Sequence, residues 1–233
     1  MAASPSFVLF GKAHLSVIAV TFAVPLILAA VTRLTGDPRL AAVGRWSFVS
    51  LLVFERIARI GLLHRDGLLS VEAALPMHLC DWAAIMVVVT LIHPTQVSYE
   101  LSYFWGLGGS LQALLTPDLA YGFPDPRFLS FFASHGGVIA SVLYLTCGMH
   151  MRPEPMSIVR ALGWSMLYLV AAMLVNSWLG SNFGYLRSKP DHPSLMDYMA
   201  KWPYYIPELA ALAIASTLIY YLPFWLADWL QRK

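Results

Sequence analysis

Residues 76–85, PMHLCDWAAI, set a proline, a histidine, a cysteine and an aspartate at the entrance to an apolar run. A cysteine reacts as its thiolate, and a helix N-terminus favours that form through its dipole and the unpaired N–H groups of its first turn. Pro76 suits the first helical position, where its missing N–H costs nothing. Cys80 then falls in the first turn or just after it. Asp81 opposes a thiolate by charge repulsion. His78 is the nearest base in sequence, but residues two apart on a helix point about 200° apart. A base for Cys80 must therefore come from another segment. The stretch FFASHGGVIAS at 131–141 supplies His135, in the first third of an apolar run. Imidazole is the side chain that titrates nearest neutrality and is suited to proton transfer. Gly136, Gly137, Ala140 and Ser141 beside it predict a close helix contact that would hold His135 against a neighbour. Structural roles stand beside these readings: buried cysteines commonly act as small hydrophobes, and membrane histidines often only hydrogen-bond across helices. Cys147 has no polar neighbours of this kind and reads as structural.

Further ionisable residues interrupt the apolar runs, where each needs a partner or a task. In FERIARI at 54–60, Glu55, Arg56 and Arg59 fall within one 100° sector of a helix, with Glu55 four residues before Arg59. They form either an internal ion pair with snorkelling arginines or a cationic site for a lipid phosphate, which guanidinium matches with two parallel hydrogen bonds. Farther along lie Glu100, Gln112 and Thr116-Pro117-Asp118, with Gly106, Gly108 and Gly109 between them. The glycines predict close helix packing, and Asp118 beside proline suits a turn.

The elements that must position these residues are membrane helices. Of the 233 residues 58% are apolar and 12% charged, half the charge of about 25% usual in soluble domains. Continuous apolar runs of roughly 20 residues recur, each long enough for a hydrocarbon core of about 30 Å. The expectation is an all-α polytopic membrane protein, a single integral domain over 1–233. Seven spans fit, at about 14–34, 44–64, 77–93, 98–116, 128–150, 157–180 and 206–229, with six as the alternative count. The third is short and is expected to begin beneath the surface in a protein-lined recess. The first is too long for a signal-peptide core and reads as an uncleaved span. One long connection, SNFGYLRSKPDHPSLMDYMAKWPYY at 181–205, is polar, aromatic and proline-rich, and reads as an ordered interfacial loop. Basic residues divide six against seven between the two faces, and N-out, C-in is the arrangement adopted. A net charge of +2 with no basic run longer than a pair excludes a nucleic-acid partner and a polybasic lipid patch. Two cysteines within spans form no disulfide framework. No His/Asp/Glu cluster has metal-ligand spacing, so neither a metal nor another cofactor is expected.

The polar islands HLC at 78–80, LQALLTPDL at 111–119, FPDPRF at 123–128, SHG at 134–136 and NFGYLRSKP…SLMDYMAKWPYY within 182–205 resemble the YwaF-type integral membrane proteins. The resemblance runs in order from the third span to the seventh. It implies kinship with eukaryotic phospholipid acyltransferases that work through a cysteine and a histidine, which here are Cys80 and His135. The chain is also similar in outline to membrane lipid hydrolases that use threonine and histidine, and departs from them in its nucleophile. The cell membrane of a bacterium is the location the resemblance implies.

The resulting expectation is a lipid acyltransferase in which Cys80 forms an acyl-thioester and His135 is the base, with membrane phospholipid as substrate. Asn182, Gln112, Asp118 and His78 are candidates to orient His135 or hold an oxyanion. Arg56, Arg59 and Lys189 are candidates for the headgroup. A hydrolase using the same pair is one alternative. Another is a transporter or small-molecule or lipid binder whose polar path runs through Glu55–Arg59, Glu100 and His135; a helix-stapling scaffold is the third. Self-association as a homo-oligomer is compatible with each.

Overall fold

The computed structural model describes residues 5–190 and 194–232. The described chain is helical: α1 (Lys12–Thr35), α2 (Pro38–Arg65), the single turn α3 (Val71–Ala74), α4 (Leu79–Ile92), α5 (Gln96–Trp105), a π turn (Gly106–Ser110), α6 (Leu111–Leu115), α7 (Pro126–Cys147), α8 (Pro155–Leu179) and α9 (Tyr205–Gln231). One isolated bridge, Ser6 to Tyr121, is the sole β pairing among the described residues. Helix starts follow from local chemistry. Asp37-Pro38 and Asp125-Pro126 place a carboxylate at the cap and proline in the first turn, and each carboxylate accepts the amide two residues on, at 2.8 Å. Gly36 and Gly180 close α1 and α8 with φ of 61° and 72°, a conformation glycine adopts without steric cost.

Among the described residues five stretches are long and apolar enough to cross a membrane: α1, the run Val71–Ile92, α7, α8 and α9. The expected seven include these five, and the other two, at about 44–64 and 98–116, fall on α2 and on the run from α5 to α6. Helix α2 has 28 residues, about 42 Å of helix, but carries Arg45, Glu55, Arg56 and Arg59 along its length. The expected span at 98–116 is one continuous helical run in which α5 passes through the π turn into α6. Helix α4 itself has 14 residues, or about 21 Å, shorter than a hydrocarbon core of about 30 Å.

Helix α7 is the axis of the bundle. It packs on α1, α2, α4, α5, α6 and the π turn, and its residues 136–142 are all buried. Small residues set the approach: a Cβ on Gly136 would stand 2.7 Å from Thr21 Oγ1, and one on Gly137 3.0 Å from Leu52 Cδ2. The expected close contact beside His135 is therefore with α1 and α2. Helix α2 clamps α4 at both ends. Arg45 donates to the carbonyls of Leu91 and Ile92 at 2.7 and 3.0 Å, satisfying C-terminal groups the helix cannot pair itself, while Arg56 reaches the other end. Glu100, fully buried, accepts from Gln96, Ser157 and Arg160 and so ties α5 to α8. The loop after α8 folds back onto the bundle through Asn176, which donates to the Phe183 carbonyl at 2.9 Å and accepts the Phe183 amide at 2.7 Å. Positions 191–193 of that loop, and Lys233 in the charge tally, lie outside the described residues.

Candidate active site

The start of α4 lies three residues later than Pro76 predicts. Leu79 is its first residue and His78 its cap, and the Asp81 carboxylate accepts the His78 amide at 3.2 Å. Tyr168 fixes the preceding turn by donating to the Met77 carbonyl at 3.1 Å. Pro76 is thus an entry residue, not the first of the helix. The correction places Cys80 as the second residue of α4, within the turn whose amides lack carbonyl partners. His78 turns towards the loop, its ring 5.3 Å from Phe183 and 5.9 Å from Tyr185.

Asp81 organises the charges. Arg56 donates to it at 3.2 Å and Arg59 approaches to 3.9 Å, so the repulsion that Asp81 would exert on Cys80 is opposed by two guanidinium groups. The Glu55–Arg59 pair expected within α2 does not form: both arginines turn to Asp81, and Glu55 accepts from Ser130 of α7 at 2.7 Å. Across the helix gap, α4 offers a carboxylate to the arginines and α7 a hydroxyl to the glutamate, which wins over an intrahelical contact. Arg56 also donates to the Ala74 carbonyl, which fastens α3 to α2. Arg59 donates no hydrogen bond among the described residues, and it lines the same cavity as Cys80.

His135 owes its state to its own helix. Its Nδ1 lies 2.8 Å from the Phe131 carbonyl oxygen and 3.1 Å from Ser134 Oγ. A carbonyl only accepts, so Nδ1 carries the proton and neutral His135 keeps its lone pair on Nε2. The Phe131 ring stacks on the imidazole at 4.4 Å and holds its plane. The group that orients the base is a backbone carbonyl.

Cys80 and His135 line one cavity of about 400 Å³, within the usual range for small-ligand sites. At its polar end stand Cys80, Asp81, Arg56 and Arg59; beyond them the cavity runs along α4 past Ala84 and Val88 to Val89. From Cys80 to Val89 this is about 13 Å of helix. Its rim includes Val53, Ile57, Ile85 and Val89, which are 44, 65, 43 and 41% exposed. The cleft therefore opens between α2 and α4 through exposed apolar residues.

One lining residue escaped the sequence reading. Ser110, the last residue of the π turn, is fully buried, and its hydroxyl is the one buried side-chain polar atom among the described residues without a hydrogen-bond partner. Such a group costs about 1–3 kcal/mol, and π turns of this kind recur at functional sites. The run GLGGS signalled only close packing, because nothing in composition announces a π turn.

The remaining candidates are engaged elsewhere. Asn182 accepts the amides of Arg187 and Ser188 and donates to Ser188, ordering the loop. Gln112 donates to Thr116 on its own helix. Lys189 donates to the Met199 carbonyl at 2.8 Å, closing the loop on itself. None of these three, nor Asp118 or His78, lines the cavity. Among the described residues no group of three or more His, Cys, Asp or Glu side chains could hold a metal ion.

No curated protein and no solved structure matches the chain. Residues 9–221, which include Cys80, His135 and all of the cavity, match a family of transmembrane proteins, and the chain belongs to that family, the TMEM164 family.

Proposed function

We propose that this protein is a membrane-embedded acyltransferase that moves a fatty-acyl chain from a phospholipid through a Cys80 thioester. One observation carries the reading: Cys80 shares an open, largely apolar cleft with a histidine whose Nδ1–H is committed to the Phe131 carbonyl, leaving Nε2 to accept the thiol proton. A lipid enters between α2 and α4 with its acyl chain along Ala84, Val88 and Val89. Its phosphate meets Arg59, whose donors are unspent and whose guanidinium is held near Asp81, itself bonded to Arg56.

In the first half-reaction His135 Nε2 takes the thiol proton as Sγ adds to the acyl carbonyl carbon. The tetrahedral species collapses with rupture of the ester C–O bond, and the imidazolium returns the proton to the departing lyso-lipid oxygen. In the second, a lyso-lipid hydroxyl attacks the thioester carbonyl and gives its proton to His135. The C–S bond breaks and Sγ recovers the proton. Water in place of the lyso-lipid makes the same pair a hydrolase. The YwaF-type resemblance supports this reading and the placement in a bacterial cell membrane.

The test is intact-mass measurement of detergent-purified full-length protein incubated with dioleoylphosphatidylcholine. The expected outcome is one added oleoyl group on wild type, none on Cys80→Ser, and accumulation about 10²–10⁴ slower on His135→Gln. An adduct equal in wild type and Cys80→Ser, or none in wild type, overturns the thioester.

A further inference from the structure

Several helix hydroxyls of this bundle share a habit from which Ser110 departs. Ser102, Ser141, Ser165 and Thr146 each donate to the carbonyl four residues back, at 2.7–2.8 Å. Ser110 sits where the helix widens into a π turn, in which the backbone pairs with the fifth residue back, and the usual acceptor is lost. Its Oγ is buried and unpartnered, and the residue is among those lining the cavity that holds Cys80 and His135. The turn that carries it is wedged between α4 and α7, the two helices that supply the nucleophile and the base. Its backbone also passes close to the Cys80 amide: a Cβ on Gly109 would lie 4.0 Å from Cys80 N.

We infer that Ser110 is a catalytic residue, donating its hydroxyl hydrogen to the acyl carbonyl oxygen of the lipid as Cys80 attacks, with the first-turn amide of Cys80 as the neighbouring donor. This rests on the acyl-transfer reading of the cavity. When Sγ adds to the carbonyl carbon, the C=O pair moves onto oxygen, and the resulting oxyanion accepts the Ser110 O–H. Ser110 keeps its proton throughout. When the pair returns to re-form C=O, the ester C–O bond breaks and His135 protonates the leaving oxygen. A hydroxyl without a protein partner is suited to this, since no existing protein bond has to be broken to engage the oxyanion. The same donor meets the thioester carbonyl that follows.

The experiment compares wild type, Ser110→Ala and Cys80→Ser, using dioleoylphosphatidylcholine with ¹³C at the acyl carbonyl. Acylation is followed by intact mass, the thioester by infrared difference spectroscopy, and binding with the uncleavable diether analogue. In Ser110→Ala, acylation is expected to slow about 10²–10³-fold, with the diether affinity and melting temperature of wild type retained. The thioester carbonyl band moves to higher wavenumber as its donor is lost. An unshifted band, or acylation at the wild-type rate, overturns the assignment of Ser110 while leaving Cys80 and His135 in place. Absence of any adduct on wild type instead removes the acyl-transfer reading and Ser110 with it.

Discussion

At the scale of single residues, the two arginines of α2 have separate tasks that their spacing conceals. Arg56 is spent on structure, bonded to Asp81 and to the Ala74 carbonyl, whereas Arg59 touches only Asp81, at 3.9 Å. Replacing Arg59 by Gln should leave the melting temperature within a degree or two of wild type, because a weak, partly exposed pair is worth about 0–1 kcal/mol. The same change should raise the KM for phosphatidylcholine, while the rate with an uncharged short-chain thioester stays unaltered. Replacing Arg56 by Gln should instead lower the melting temperature by several degrees, since losing charge-assisted bonds costs about 1.5–3 kcal/mol. Thermal shift assays and initial rates on the two substrates distinguish the pair, and equal KM effects from both variants would refute the division. Sequence showed the arginines as a phosphate site or an ion pair. It could not show Asp81 as their partner, because that contact depends on how α2 and α4 lie side by side. Nor could it show what orients His135: the candidates were the side chains of Asn182, Gln112, Asp118 and His78, whereas the group within reach is the Phe131 backbone carbonyl, which no side-chain type marks.

The elements that hold these residues divide into those that sequence pattern makes visible and those it hides. Apolar length marks α1, α7, α8 and α9 plainly, and the small residues after His135 mark a close contact. The π turn and the late start of α4 are hidden, because both arise where tertiary packing overrides a locally regular helix. The glycine contact carries a direct consequence. A Cβ at Gly136 meets Thr21 Oγ1 at 2.7 Å but the other Thr21 atoms only at 3.8 Å. Gly136→Ala should therefore push α1 from α7 at a cost of about 1–3 kcal/mol, shift the neighbouring His135 and slow acylation. Adding Thr21→Ala removes the offending atom, so the double variant should regain most of the lost stability and rate. A thermal-denaturation cycle reads the coupling, which contacting residues show at about 0.5–3 kcal/mol. Strict additivity of the two changes would show that α1 does not set the position of His135.

Across the whole molecule, polar chemistry is sorted by end. The cavity occupies one end, where α4 begins, while Glu100 and Arg160 lock the other, and about 15 Å of helix separates Glu100 from Ser110. That separation makes the lock a structural device that should act on stability without touching the chemistry. Glu100 has no exposed surface and holds Arg160, Ser157 and Gln96 at once. Arg160→Met strands its carboxylate, a loss of about 3–5 kcal/mol, which should lower the melting temperature on the order of 10 °C in a chain of this size. Glu100→Gln added to Arg160→Met removes the stranded charge and keeps an acceptor for Ser157, so the double variant should be more stable than Arg160→Met alone. Below the melting transition, both variants should form the acyl adduct at the wild-type rate. A glutamate that instead belonged to a polar path through the bundle, continuous with His135, would behave differently. Its neutralisation would then alter the reaction or conductance at the far end while the fold remained intact. Measuring adduct formation and melting temperature on the same two preparations separates a lock from a path.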